Sequence, residues 1–273
     1  MISYPHINPV LLSIGPIQIR WYGIMYILGF LTAYLLIQKQ ERARQVGLIG
    51  TVAQDLVFYL AVGVVIGGRL GYIIFYQYND YMLYIKHPLE IIATWHGGMS
   101  FHGGFLGALI AGWVFSRVKE IPFSVLADSV AVTTPIGLGL GRIGNFINGE
   151  LVGRPSTLPW AMIFPDAGPV PRHPSQLYNA LVEGLVLFLL LWNLRKRGFR
   201  DGMMGVFFLL FYGTFRFFLE FFREPDPQVG FLLGGLTMGQ ILCFAMIVTA
   251  GLLAVFIQRR PSGKASQDGG RHT

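Results

Sequence analysis

About seven runs of this chain are apolar and long enough to cross a lipid bilayer, which leaves few folds open. A hydrocarbon core about 30 Å thick needs about 20 apolar residues in helical form. Stretches near 18–38, 53–76, 91–115, 124–146, 177–194, 203–222 and 237–257 come close to or exceed that length. Lipid offers the backbone no hydrogen bonds, so each such run must satisfy its own, and a helix does so. Composition agrees: 53% of residues are hydrophobic and 13% charged, with a mean hydropathy of +0.54, far from the averages of soluble domains. The expected fold is an all-α polytopic membrane protein, a single integral membrane domain over residues 1–258. Residues 259–273 form a polar cytoplasmic tail with too few apolar groups to order itself.

The basic residues between these runs set an orientation. Lys39, Arg42 and Arg44 follow the first run, and Arg117 and Lys119 the third. Arg195, Lys196, Arg197 and Arg200 follow the fifth, and Arg259, Arg260, Lys264 and Arg271 lie beyond the last. The opposite side carries only Arg20, Lys86, Arg154, Arg172 and Arg223. The positive-inside rule then places the N-terminus outside and the C-terminus in the cytoplasm. The net charge of +7 reflects this asymmetry, and no nucleic-acid partner is expected. The N-terminal residues show neither a basic leader nor a small-residue cleavage site, so no removable signal peptide is expected. The one cysteine, Cys243, falls in the last run and reads as a buried thiol. No Cys/His cluster suits a metal.

Three arginines lie inside the apolar runs: Arg69, Arg142 and Arg216. Each costs about 2.5–3.5 kcal/mol at the bilayer centre even on the mildest scale, so such residues pair with one another or mark a site. Arg142 and Asn145 share a helical face at a spacing of three, Asn148 extends it, and Glu150 follows. Tyr212, Arg216 and Glu220 are each four apart, with Arg223 beyond. Either the Arg216–Glu220 pair is structural, or Glu220 orients Arg216 toward an anion shared with Arg142. A guanidinium fork matches phosphate oxygens, and the commonest phosphate in a bilayer is a lipid headgroup. Arg69 either serves the same site or pairs with Asp55 or Asp128.

The glycine-rich run TWHGGMSFHGGFLGALIAG (94–112) reads either as tight helix packing or as broken, re-entrant backbone around His96, Ser100 and His102. His102 is the best general-base candidate, because an imidazole exchanges protons near neutral pH. Tyr22 is either an interfacial aromatic or a phosphate donor, and His173 either contacts substrate or folds the outer segment. That segment, 151–179, contains six prolines and reads as a small extracytoplasmic cap, about 151–176, between helices four and five. Its short strands are expected to lie at the interface, anchored by Trp160 and Phe164. The Tyr-rich stretch 76–90 reads as a second interfacial element.

GRIGNFINGELVG (141–153) resembles the signature of prolipoprotein diacylglyceryl transferases. The resemblance continues through RWYGIMYILGF (20–30), GGMSFHGGFLG (97–107), RHPSQLY (172–178) and YGTFRFFLEFFREPD (212–226), to about residue 258. It implies transfer of a diacylglyceryl group from phosphatidylglycerol to a prolipoprotein lipobox cysteine, with release of glycerol phosphate. The setting is the bacterial cytoplasmic (inner) membrane, with the active site toward the extracytoplasmic side and no cofactor. By the same resemblance, Arg142 is the phosphatidylglycerol-binding arginine and Arg216 the second essential one. His102, Tyr22, Asn145 and Gly153 fall on positions important for activity, with Glu150 and Glu220 in the same site. The chemistry is consistent with this, since fixed cations stabilise a departing phosphate. His102 as base, or Arg216 lowering the thiol pKa, would supply the thiolate. The alternative is a lipid or organic-anion transporter using the same arginine pair, although the two halves show no internal repeat.

Overall fold

A computed structural model describes residues 2–5, 7–15, 17–77, 81–93, 97–224, 232 and 235–259. The expected polar tail falls almost wholly outside the described residues, as does His96. The chain opens with β1 (Ile2–Ser3) and a hairpin of β2 (Val10–Ile14) and β3 (Ile17–Arg20). Ten helices follow among the described residues. In order they are α1 (Trp21–Ile37), α2 (Glu41–Gln45), α3 (Gly50–Tyr76), α4 (Tyr81–Lys86), α5 (Phe101–Val118), α6 (Phe123–Ile147), α7 (Ser175–Asn179), α8 (Leu187–Leu194), α9 (Met203–Leu219) and α10 (Met238–Arg259). The strand β4 (Met162–Ile163) lies between α6 and α7. A π-helical segment, Ala180–Val186, joins α7 to α8.

Among the described residues, five helical stretches are long and apolar enough to cross a membrane: Gly50–Tyr76, Phe123–Ile147, Ser175–Arg197, Met203–Phe222 and Met238–Arg259. The first expected span is shorter than predicted, because 17–20 pair as a strand and α1 begins only at Trp21. The third begins ten residues later than the 91 predicted. Pro88–Ile91 form a 3₁₀ turn, Gly97 and Gly98 have positive φ, and the Ser100 hydroxyl caps α5 by accepting from Gly103 N at 3.2 Å.

The tight-packing reading of the glycine-rich run holds for its second half, while Gly97 and Gly98 of the first half lie outside helix with positive φ. The first doublet breaks the backbone, while Gly103 and Gly107 lie in regular α5 and press against Gly63, Gly67 and Gly71 of α3. A β-carbon at Gly63, Gly67, Gly71, Gly103 or Gly107 would meet the opposite backbone at under 3.0 Å. Helices in lipid gain van der Waals contact by this close approach. Arg69 pairs with neither Asp55 nor Asp128. Its guanidinium donates to the carbonyls of Glu90, Ile91, Gly97 and Gly98 and ties down the loop before α5. Asp55 instead meets Lys119 at 2.8 Å. Asp128 caps α9 by accepting from Gly202 N and Gly205 N at 2.6 and 2.8 Å.

Antiparallel packing brings the start of α1, α7 and α10 to the same end as the finish of α6 and α9. Contacts of Tyr22 with Gly144, Gly139 with Gly184 and Glu220 with Gly239 fix this register. The cap sits there. β1 pairs in parallel with β4, and bridges join Pro155 and Met162 to Arg172 and Gly153 to Arg223. Tyr4, Phe146, Met162 and Phe164 form its core, with the Tyr4 hydroxyl donating to Phe146 O at 2.6 Å. Phe164 is fully buried and is therefore a core residue, not the interfacial anchor predicted. Trp160 is half-exposed and donates from Nε1 to the Tyr178 hydroxyl at 2.7 Å. The Tyr-rich stretch 76–90 carries the helix α4 with Met82 and Ile85 exposed.

Candidate active site

Arg142, in the penultimate turn of α6, and Arg216, in the last turn of α9, lie toward the cap end of the bundle, and a carboxylate that the sequence reading missed stands between them. Glu183 lies in the π-helical segment, fully buried. Its Oε2 is 3.7 Å from Arg142 Nε, and its Oε1 is 3.5 Å from Arg216 Nη1. π segments insert an extra residue into a helical turn and are frequent at functional sites. Here the segment packs on α6 through Gly139 and Gly184, where a β-carbon on either would meet the other's Cα at 3.0 Å or less. A single glutamate in an otherwise apolar run was the available sequence signal.

Arg216 is held from its other side. Its Nη2 donates to Glu220 Oε2 at 2.7 Å. Glu220 Oε1 accepts from the Thr237 hydroxyl at 3.2 Å, and its carboxylate fills the space beside Gly239. Arg216 and Glu220 are both buried, whereas the Arg142 side chain keeps 19% of its surface open. The two guanidinium groups thus bracket one buried carboxylate, and only Arg142 retains a partly open face.

Asn145, Asn148 and Glu150 meet at the end of α6 as their spacing predicted. Asn145 and Asn148 donate to Glu150 Oε1 at 2.8 and 3.2 Å. Gln176 fixes the Glu150 backbone by donating to its carbonyl at 2.6 Å. The turn that delivers Glu150 is strained on its far side, since Leu151 has φ 56°, a conformation that costs a side-chain-bearing residue about 1–2 kcal/mol. Tyr22 lays its ring on Gly144, and its hydroxyl is 3.3 Å from that of Tyr26. It therefore packs where α1 crosses the last turn of α6, against a buried glycine next in sequence to Asn145.

Gly153 lies within the cap. It donates to His173 O at 3.0 Å, and Arg154 N donates to Phe222 O at 3.0 Å. It thereby links the cap to the turn that follows Arg216. His173 folds the cap rather than opening into the arginine pair: its Nδ1 is 3.2 Å from the Tyr178 hydroxyl and its ring packs on Phe222. Burial holds its pKa below the usual imidazole value, favouring the neutral ring. His102 is exposed in the first turn of α5, its ring edge-on to Phe101. No hydrogen bond or ion pair joins it to the arginine cluster among the described residues, although it lies at the same end of the bundle. Cys243 is buried, as expected.

This arrangement gathers two guanidinium groups, two carboxamides and a phenol at the cap end of the bundle. The prolipoprotein diacylglyceryl transferase profile matches residues 9–256. A phosphatidylglycerol–prolipoprotein diacylglyceryl transferase of Geobacter sulfurreducens is 51% identical over 261 residues, covering 96% of this chain and 99% of the relative. One from Desulfotalea psychrophila is 49% identical, covering 90% and 92%. One from Pseudomonas aeruginosa is 47% identical, covering 97% and 98%. With half its residues identical to such relatives along nearly its whole length, the chain belongs to the prolipoprotein diacylglyceryl transferase family.

Proposed function

We propose that this chain transfers the diacylglyceryl group of phosphatidylglycerol to the cysteine thiol of a prolipoprotein lipobox. In that reaction the sulfur forms a bond to the terminal glyceryl carbon, the carbon–oxygen bond to phosphate breaks, and the thiol proton passes to a base. Glycerol phosphate leaves. The observation that carries the reading is the arginine pair bracketing Glu183 beneath the cap.

Arg142, with its partly open face, takes the lipid phosphate, and Arg216, braced by Glu220, stabilises the charge that develops on it. Both interactions strengthen as the phosphate departs, so they lower the barrier more than they deepen the ground state. Asn145, Glu150 and Tyr22 address the glycerol hydroxyls and the headgroup oxygens. Gly153 contributes through the shape of the cap that closes over them. His102 receives the thiol proton once the peptide is docked, since its imidazole is exposed at the same end of the bundle. The bundle lies in the bacterial cytoplasmic membrane as seven spans, with α1 and α5 completing the five longer ones. The cap and active site face outward and the basic loops face inward.

Purified protein with phosphatidylglycerol and a lipobox peptide should yield a thioether-lipidated peptide and one glycerol phosphate per turnover, read by mass spectrometry. Movement of lipid with neither product would make the chain a transporter and end this reading.

A further inference from the structure

Glu183 is paired to two arginines, yet neither oxygen is hydrogen bonded. Both oxygens and Arg216 Nη1 are buried without a hydrogen-bond partner among the described residues. Its separations of 3.5 and 3.7 Å contrast with the 2.7 Å contact between Arg216 and Glu220. A carboxylate meant to lock two arginines permanently would close to hydrogen-bond distance, as Glu220 has done. Glu183 neutralises the pair at a separation that leaves their donors available.

We propose that Glu183 is a built-in counter-anion that the lipid phosphate displaces from the arginine pair and that returns to help expel glycerol phosphate. The inference rests on the phosphate reading of that pair. Without Glu183, two arginines would face one fixed carboxylate, Glu220, and carry a net positive charge in a buried setting. Such a site would hold a phosphate tightly, and a phosphomonoester product more tightly still, because it carries more charge than the diester substrate. A competing carboxylate weakens both but penalises the dianion most, which favours turnover. The π-helical segment gives the carboxylate slack, since its wider turn lies outside the regular ladder that fixes the flanking helices. Glu183 is thus a positioning residue, acting through the arginines rather than on the reacting atoms.

The test is the affinity of the full-length protein for glycerol phosphate, measured by titration calorimetry in phosphatidylglycerol-free nanodiscs. Glu183→Gln removes the charge and keeps the size, and should tighten binding by about tenfold or more, as expected for deleting a close like charge. Glu183→Asp sets the carboxylate back by one methylene and should tighten it by about threefold. In lipid transfer, Glu183→Gln should also lower the KM for phosphatidylglycerol and slow turnover through product release. Unchanged or weaker binding in either folded variant would overturn the inference, as would equal effects of Gln and Asp. The Asp variant keeps the test decisive if the Gln variant does not fold. Failure of the wild-type protein to lipidate a lipobox peptide would instead defeat the functional reading, whichever way the affinities order.

Discussion

Replacing Gly153 with alanine should disable the enzyme from a position that carries no chemistry. A β-carbon there would lie 2.5 Å from His173 O, 2.6 Å from His173 Cβ and 2.7 Å from Phe222 O. Ordinary contact begins at 3.4 Å, so the cap and the turn after α9 would have to part by about 0.9 Å. The atoms in the way are two carbonyls and a β-carbon, none of which can swing aside as the end of a flexible side chain does. The same carbonyls accept from Gly153 N and Arg154 N, and spoiling those two bonds costs about 1 kcal/mol each. Overpacking adds about 1–3 kcal/mol. The displaced turn begins at Glu220, the residue that braces Arg216, and a shift of about 1 Å at a positioned group can cost about 10²-fold in rate. Thermal unfolding in detergent should show a midpoint lowered by several degrees, and peptide lipidation should fall by about two orders of magnitude. Gly137→Ala is the control, because nothing lies within 4 Å of its β-carbon. Wild-type stability and rate in Gly153→Ala would refute the clash argument and make the cap a loosely seated element.

Arg142→Lys keeps the charge but loses the fork, so the protein should still insert and purify while lipidation falls by at least about tenfold. Near-normal turnover would remove Arg142 from the phosphate. His102→Gln should lower kcat by about 10²–10⁴-fold with phosphatidylglycerol binding nearly unchanged, partly rescued at higher pH where more peptide thiol is ionised. Loss of lipid binding along with the rate would make His102 a lipid contact instead. Reporter fusions near residues 85 and 160 should read as extracytoplasmic, and those near 118 and 265 as cytoplasmic. A cytoplasmic signal from the 160 region would invert the orientation.

The sequence exposed those parts of the site that rest on helical spacing. Asn145 and Asn148 converge on Glu150, and Arg216 meets Glu220, because residues three or four apart share a face. Glu183 did not stand out, since its partners are remote in sequence and its π-helical setting has no local signature. Arg69 illustrates the converse. An intramembrane arginine is expected to seek a carboxylate, but four backbone carbonyls, two of the 3₁₀ turn and two of the glycine break, satisfied this one. Phe164 was misjudged because an aromatic beside prolines resembles an interfacial anchor until the N-terminal strand is seen to bury it. The hairpin before α1 was hidden for a related reason, because its alternating apolar residues blend into the hydropathy of the first span.

The glycine seam between α3 and α5 also bears on the routes open to a two-tailed lipid. Where a methyl group cannot be added at Gly63, Gly67, Gly71, Gly103 or Gly107 without collision, an acyl chain cannot slip through. That wall of the bundle is a closed door. A lipid that reached the proposed site between helices would need another seam, one whose contacts are made by side chains that can swing aside.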